Sequence, residues 1–376
     1  MKTKARGAHQ HEYESIGALL GRVFGPDEAD LWWYLIRHDP TFAPDQTVVA
    51  ECDGEVRACT VVAPREVRTR AGVVPGAVIT LVACDRAYRR RGLGAATVRG
   101  ALELCAARGW GAAMLYGIPS YYPRFGFVPA LPRLATELTV DRALAAAARP
   151  ADGPDGELRE LCEADLGAVC DLYEGSVADT LWSVRRTPDP WIWRFRGDYR
   201  RRILVLDAAG GDSVDAYARA NRPPAASVLT VSEAAAPTDE AAAGLLRALA
   251  RYAQSVGRSQ LRLTLPFTAR LARLALACGA VQTYQPPTSG MVAVVDWSAV
   301  LPQGWSVVDG RLARGGRPVL RADREHLVAL AGGILDPAVL PSLAGARLEG
   351  DEADWAALRR DFAPAPARWA EAPYWG

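Results

Sequence analysis

The sequence predicts an α+β protein made of two similarly ordered parts and a smaller third unit. Three observations predict it. At 376 residues the chain is too long for one ordinary core and suits two or three domains. One order of elements (helix, hairpin strands, strand, turn, helix, strand) occurs twice along it. A stretch rich in Pro, Gly and Asp at 150–156 separates the two occurrences and reads as a linker. The expected domains are therefore 1–150, 151–290 and 291–376.

In the first part, residues 12–37 read as helix, with Ile16, Leu19, Leu20 and Val23 spaced for one face. The end of this region mixes acids and aromatics, including Asp27, Asp30, Trp32 and Trp33. Strands follow at 46–52 and 56–67 around an Asp53-Gly54 hairpin turn. A further strand at 78–84 leads into the turn Tyr88-Arg-Arg-Arg-Gly-Leu-Gly-Ala-Ala96, then a helix at 95–108 and a short apolar strand at 111–116.

That turn is the most informative stretch. The first N–H groups of a helix have no intrahelical partner, and the helix dipole favours an anion there. Gly92 and Gly94 carry no Cβ and let a phosphate approach the backbone, while Arg89, Arg90 and Arg91 add positive charge. A dinucleotide fingerprint would need a third glycine where Val98 stands, and no Gly-Lys-Ser/Thr triplet follows Gly94 for a phosphate-binding P-loop. A pyrophosphate seat and an Arg-rich cap on a surface strand remain.

The second part reads as helix at 158–177, strands at 202–207, 214–221 and 226–231, helix at 240–256, strand at 260–265 and helix at 269–278. At the corresponding turn it has Ser232-Glu-Ala-Ala-Ala-Pro-Thr-Asp-Glu240, whose three acids would repel pyrophosphate. A strand at 292–296 begins the third unit, with strands near 307–308 and 319–320 and helices at 324–330 and 351–361.

Half of the residues are apolar and net charge is +1, which argues against a broad nucleic-acid surface or attachment to an acidic membrane. The basic run at 194–202 reads as a solvated turn. Seven cysteines without a C-x-x-C pair read as free thiols in a reducing compartment, and the four histidines make no case for a metal. No signal-peptide core and no 18-residue apolar run occur, so the expected location is cytoplasmic.

Arg89, Gly92 and Gly94 form an Arg-x-x-Gly-x-Gly spacing that resembles the acyl-CoA-binding motif of the GNAT N-acetyltransferases. Tyr122, Gly126 and Phe127 resemble that family's Tyr followed four and five residues later by Gly-Phe. Residues 78–92 and 122–142 are further similar to the enhanced-intracellular-survival (Eis-like) acetyltransferases. That resemblance implies tandem GNAT-like domains, the second degenerate, plus a sterol-carrier-like C-terminal domain. The third unit is shorter than a full sterol-carrier domain, which favours a packing and lid module over a dedicated sterol pocket. The resemblance also implies a homo-oligomer, and an amine-bearing, polycationic small-molecule acceptor such as an aminoglycoside. A protein lysine, a biosynthetic amine and a non-catalytic binding role are the competing readings.

On this reading acetyl-CoA is the co-substrate and no metal is needed. Arg89, Arg90, Arg91, Gly92, Leu93, Gly94, Ala95 and Ala96 would hold its pyrophosphate, with Val82, Ala83, Cys84 and Gly117 along the pantetheine and thioester. Tyr122 would be the general acid, since a tyrosine is protonated near neutrality. Cys84 has no histidine nearby in sequence to activate it, so direct transfer is expected. The family places a C-terminal carboxylate as base, which here is that of Gly376, with Glu371 or water as substitutes. Asp27, Asp30, Trp32 and Trp33 would attract an ammonium group, or else are a helix with exposed acids and a buried Trp pair.

Overall fold

A computed structural model describes residues 4–147, 158–189, 201–207, 213–221, 227–266 and 268–365. The linker at 150–156, most of the basic run at 194–202, and both Glu371 and Gly376 lie outside the described residues.

The first part runs β1 (Ala5–Gly7), α1 (Tyr13–Phe24), α2 (Pro26–His38), β2 (Thr47–Cys52), β3 (Glu55–Thr69), β4 (Gly72–Cys84), α3 (Leu93–Ala107), β5 (Ala112–Tyr116), β6 (Val128–Thr139) and α4 (Val140–Ala147). The single helix expected at 12–37 is two. Gly25 adopts φ 110° and Pro26 starts a new helix, because a left-handed glycine ends one helix and proline suits the first position of the next. Asp53 and Gly54, at φ 57° and 77°, form the expected tight hairpin turn.

The second part runs β7 (Leu158–Glu160), α5 (Leu166–Val177), β8 (Arg201–Asp207), β9 (Val214–Asn221), β10 (Val228–Ala235), α6 (Asp239–Ser255), β11 (Gln260–Leu263), α7 (Arg270–Ala277) and β12 (Val281–Val294). Its expected opening helix is thus a short strand and a later helix. The third unit holds α8 (Trp297–Val300), β13 (Trp305–Val308), β14 (Arg311–Arg314), β15 (Arg317–Arg321), α9 (Arg324–Ala331), β16 (Arg347–Leu348) and α10 (Glu352–Asp361).

β1 to β12 form one twelve-stranded mixed sheet, in the order β1-β2-β3-β4-β5-β12-β6-β11-β10-β9-β8-β7. Among the described residues only β4 with β5 and β10 with β11 run parallel. The middle of the sheet is interleaved: β12 pairs Met291–Val294 with Leu115–Ala112 of β5, and β6 pairs Thr136–Thr139 with Leu263–Gln260 of β11. Each part therefore lends its last long strand to the other. The strand expected at 292–296 as the opening of the third unit is the end of β12 and belongs to this sheet.

α3 covers one face of the first part through Val98, Ala101 and Cys105, against Val62, Ile79 and Leu115. α1 and α2 cover the other face, where Ile16, Leu19, Leu20 and Trp32 pack on Val61, Leu81 and Ala83. β13 to β16 form a separate four-stranded sheet. Its core is continuous with the large sheet, because Trp305, Leu320, Leu358 and Phe362 share a cluster with Val67, Val78, Trp182 and Val184. Each fully buried side chain of this size contributes roughly 1.5–3 kcal/mol of hydrophobic burial.

Candidate active site

β4 and β5 pair only from Gly76 with Ala112 to Val78 with Met114. Beyond these residues they separate, and β5 continues by pairing Tyr116 with Gly290 of β12. The separated end of β4 carries a bulge. Cys59 faces Ala83 and Val61 faces Thr80, so Leu81 and Val82 together stand opposite Thr60. Leu81 sits at φ 49°, a conformation costly for a non-glycine residue and held here by its burial against α1 and α2.

Past Cys84 the chain makes one short turn, in which the Asp85 carboxylate accepts from the Ala87 N–H at 3.1 Å. It then reaches α3 through Arg90 at φ 65° and Gly92 at φ 86°. Arg89, Arg90 and Arg91 are exposed. Arg91 lies over the Tyr88 ring at 4.8 Å, and Arg57 over the same ring at 4.4 Å. The start of α3 is pinned to the sheet by a buried pair, in which Thr60 Oγ1 donates to Thr97 Oγ1 at 2.8 Å and Thr97 Oγ1 donates to the Gly94 carbonyl at 3.0 Å.

The residues expected to hold pyrophosphate are not equivalent. A Cβ on Gly94 would stand 3.2 Å from the Tyr121 hydroxyl, so glycine keeps this approach open. Leu93 turns its side chain into a small core with Ala50 and Ala58 and offers only its backbone. Ala96 is a correction: its N–H already bonds the Gly92 carbonyl at 2.9 Å, leaving the amides before it to meet an anion. An open helix start, exposed guanidinium groups and a splayed strand edge fit the diphosphate and amides of a coenzyme A thioester.

Tyr122 is buried in the cluster that joins Ile79 of β4, Leu115 of β5 and Val98 of α3, between the separated strands and the helix. Its ring lies on Gly117, where a Cβ would fall 2.0 Å from it. Gly117, expected along the cofactor, thus supports the tyrosine. Burial, with a smaller contribution from neighbouring Tyr121, raises the Tyr122 hydroxyl above its ordinary titration range, so it stays protonated. Cys84 is half-buried, and burial is likewise the largest cause raising its thiol; the Gly94 N–H and Arg89 act in the opposite sense. A protonated thiol is a poor nucleophile.

The acceptor residues expected on α2 divide. Trp32 is corrected: its side chain is fully buried and its indole N–H donates to Thr47 Oγ1 at 3.2 Å, so it is core. Trp33 is half-buried against Gly17 of α1, with Arg37 over its ring at 5.3 Å. Asp30 is exposed, and the side chain of Asp27 lies outside what is described.

Beside Tyr122, Tyr121 brings its hydroxyl to the helix start at Gly94. Two features escaped the sequence. The Leu81 bulge had no local signal, since leucine rarely takes positive φ. Arg324 of α9 donates to the Gly126 carbonyl at 3.1 Å and to the Val294 carbonyl at 2.8 Å, tying the third unit to the tyrosine segment. Among the described residues no group of His, Cys, Asp or Glu is placed to hold a metal, and no helix is long and apolar enough to cross a membrane.

Residues 4–130 match the family model described as an acetyltransferase (GNAT) domain. Among solved structures, the chain is similar to a GCN5-related N-acetyltransferase from Anabaena variabilis, with 16% identity, 98% of this chain and 100% of that one covered, and a TM-score of 0.76. It is similar to a probable N-acyltransferase from Enterococcus faecalis, at 13% identity, coverage of 98% and 99%, and a TM-score of 0.76. It is also similar to Eis1 from Mycobacterium abscessus, at 18% identity, coverage of 98% and 100%, and a TM-score of 0.68. At these identities the likeness is one of fold. No curated protein sequence matches the chain.

Proposed function

We propose that this chain, a GNAT N-acetyltransferase, transfers the acetyl group of acetyl-CoA directly to an amine of a polycationic small molecule of the aminoglycoside kind. The observation that carries the reading is the opening between β4 and β5, with the free start of α3 at one end and Tyr122 packed between them. Amides of Leu93, Gly94 and Ala95, with Arg89, Arg90 and Arg91, hold the diphosphate, and the bulged backbone at Val82, Ala83 and Cys84 meets the amide-bearing arm and the thioester oxygen.

A neutral amine attacks the thioester carbon; the new C–N bond forms as the C–S bond breaks. Tyr122 gives its proton to the leaving sulfur, and the proton lost by the amine passes to a base and returns to the tyrosine. That base is the carboxylate of Gly376, with Glu371 or water in its place if the tail falls short. The lowered acidity of the half-buried Cys84 thiol disfavours an acyl-enzyme. Asp30, Asp27 and the Trp33 face draw the acceptor's ammonium groups, and Trp32 supports them from the core. The second GNAT-like part binds no coenzyme A, and the C-terminal unit is a reduced sterol-carrier-like module that packs and braces rather than carrying a sterol. The protein works as a homo-oligomer in the cytoplasm.

The test is release of free thiol from acetyl-CoA with a panel of amines: aminoglycosides, polyamines, and lysine-bearing peptides. Turnover with the first class, lost in Tyr122→Phe, supports the reading. Turnover with lysine peptides alone moves the acceptor to proteins, and coenzyme binding without turnover on any amine leaves a binding protein.

A further inference from the structure

The start of α3 carries more positive charge than a diphosphate needs. Arg89, Arg90 and Arg91 precede the helix, Arg99 lies on it, and Arg124 stands in the tyrosine segment; all five are exposed. With 44 Lys and Arg against 43 Asp and Glu, the chain has acids enough to pair its arginines. Among the described residues, none of these five forms an ion pair. Asp85, just before them, is engaged by Arg22 at 3.8 Å and Arg57 at 3.6 Å. Glu103, one turn beyond Arg99 on α3, makes no ion pair with it. Three of the five serve the diphosphate seat, and Arg99 and Arg124 have no role there.

Aromatic rings place these two. Tyr121 brings its hydroxyl to Gly94, and the Phe125 ring lies 5.4 Å from the Tyr121 ring. Arg124 lies over both rings, at 4.0 and 5.0 Å, and Arg99 lies over Phe125 at 5.4 Å. Gly94, Tyr121, Phe125 and Arg99 thus follow one side of the first turns of α3. The five residues from Gly94 to Arg99 advance about 7.5 Å along the helix, comparable with the spacing of the 5′- and 3′-phosphates on one ribose. A guanidinium stacked on a ring at an exposed site gains only about 0.5–1 kcal/mol, and its N–H edge stays free for a phosphate.

We propose that Arg124 and Arg99 hold the 3′-phosphate of coenzyme A, so that the protein selects the 3′-phosphorylated coenzyme over its dephospho form. The inference rests on the coenzyme reading above and adds to it the residues that choose the donor. A phosphomonoester carries about −1.5 to −2 charges at pH 7 and three acceptor oxygens, which suits two forked guanidinium groups. Arg124 stacks on Tyr121, the ring that reaches Gly94, and so stands nearer the diphosphate and contributes more. Arg99, one ring further along, contributes less.

Coenzyme A and dephospho-coenzyme A are the probes, each titrated calorimetrically into the full-length protein without an acceptor. The wild-type protein binds coenzyme A about ten- to thirtyfold more tightly than the dephospho form. Arg124→Gln lowers that preference about fivefold and Arg99→Gln about threefold, each by weakening coenzyme A while the dephospho form binds as before. The double variant binds the two alike. Both side chains are exposed and glutamine is a good helix former for position 99, so the variants fold, which an unchanged melting temperature verifies. Equal wild-type affinity for the two coenzymes overturns the proposal and leaves the diphosphate seat standing. So does a loss in either variant that falls equally on both coenzymes. Binding of neither coenzyme overturns the diphosphate reading along with it.

Discussion

The two parallel strand pairs open in the same way and are finished in opposite ways. β4 and β5 part after Val78 and Met114, and β10 and β11 part after Val231 and Leu263. Each opening is followed by a long helix, α3 or α6. At α3 the first turn is glycine-rich and preceded by three exposed arginines; at α6 it carries two acids, and Thr238 caps the Ala241 N–H at 3.1 Å. A side-chain cap uses up an amide that an anion would need. The strand separation is a property of the fold, whereas the ligand is chosen by the few residues at the helix start.

The largest expected effect breaks the comparison at its chemistry. Tyr122→Phe keeps the ring on Gly117 and removes only the hydroxyl, so kcat falls by about 10²–10⁴-fold with coenzyme affinity nearly unchanged. Tyr121→Phe, whose hydroxyl sits at Gly94, acts instead on the KM for acetyl-CoA. Steady-state kinetics on the pair separates the two tyrosines, and equal kcat losses would refute the division of roles.

Next is a charge borrowed from the second part. Ala95→Glu puts an acid in the first turn of α3, as Glu240 stands in that of α6. Dipole and Coulomb terms of about 1.4 kcal/mol raise the coenzyme dissociation constant about tenfold, while the KM for the amine stays put. Calorimetry on the variant checks it, and an unchanged affinity means the diphosphate lies elsewhere.

The buried hydroxyl also predicts a pH dependence. Burial favours the neutral form, so Tyr122 titrates above the ordinary tyrosine value of about 10 in the folded state. Its contribution to stability is present below pH 10 and is lost as pH rises above it. The alkaline limb of kcat belongs above pH 10, and Tyr122→Phe flattens the fall of the unfolding free energy there. A limb below pH 9 would assign the general acid to another group.

The first part was legible where chemistry is written in local spacing. Arg89, Gly92 and Gly94 announced a helix start, and the structure gives Gly92 the left-handed backbone such a turn requires. Trp32 could be read either way, because a tryptophan beside acids looks the same in sequence whether its ring meets solvent or, as here, the core. The interleaving of β6 and β12 could not be read at all, since strand neighbours 150 residues apart leave no local pattern. β6 itself was missed because its strand signal is broken by two prolines, Pro129 and Pro132.

The smallest effect concerns what the third unit does for the first opening. Arg324 spends two charged hydrogen bonds on carbonyls of Gly126 and Val294, one in the tyrosine segment and one in the strand beside β5. Burial lowers the guanidinium's proton affinity, although at any assay pH it stays charged. Arg324→Ala removes both bonds, each worth about 1.5–3 kcal/mol when buried and less in this half-exposed setting. Gly126, at φ 88°, ends the turn that carries Tyr122, so loosening it misplaces the hydroxyl without removing it. The expectation is a kcat lowered about three- to tenfold, partly restored by Arg324→Lys, with the coenzyme dissociation constant unmoved. A purely structural brace would lower the melting temperature and leave kcat per folded molecule unchanged, so unfolding and kinetics measured on the same preparation decide between brace and positioning residue.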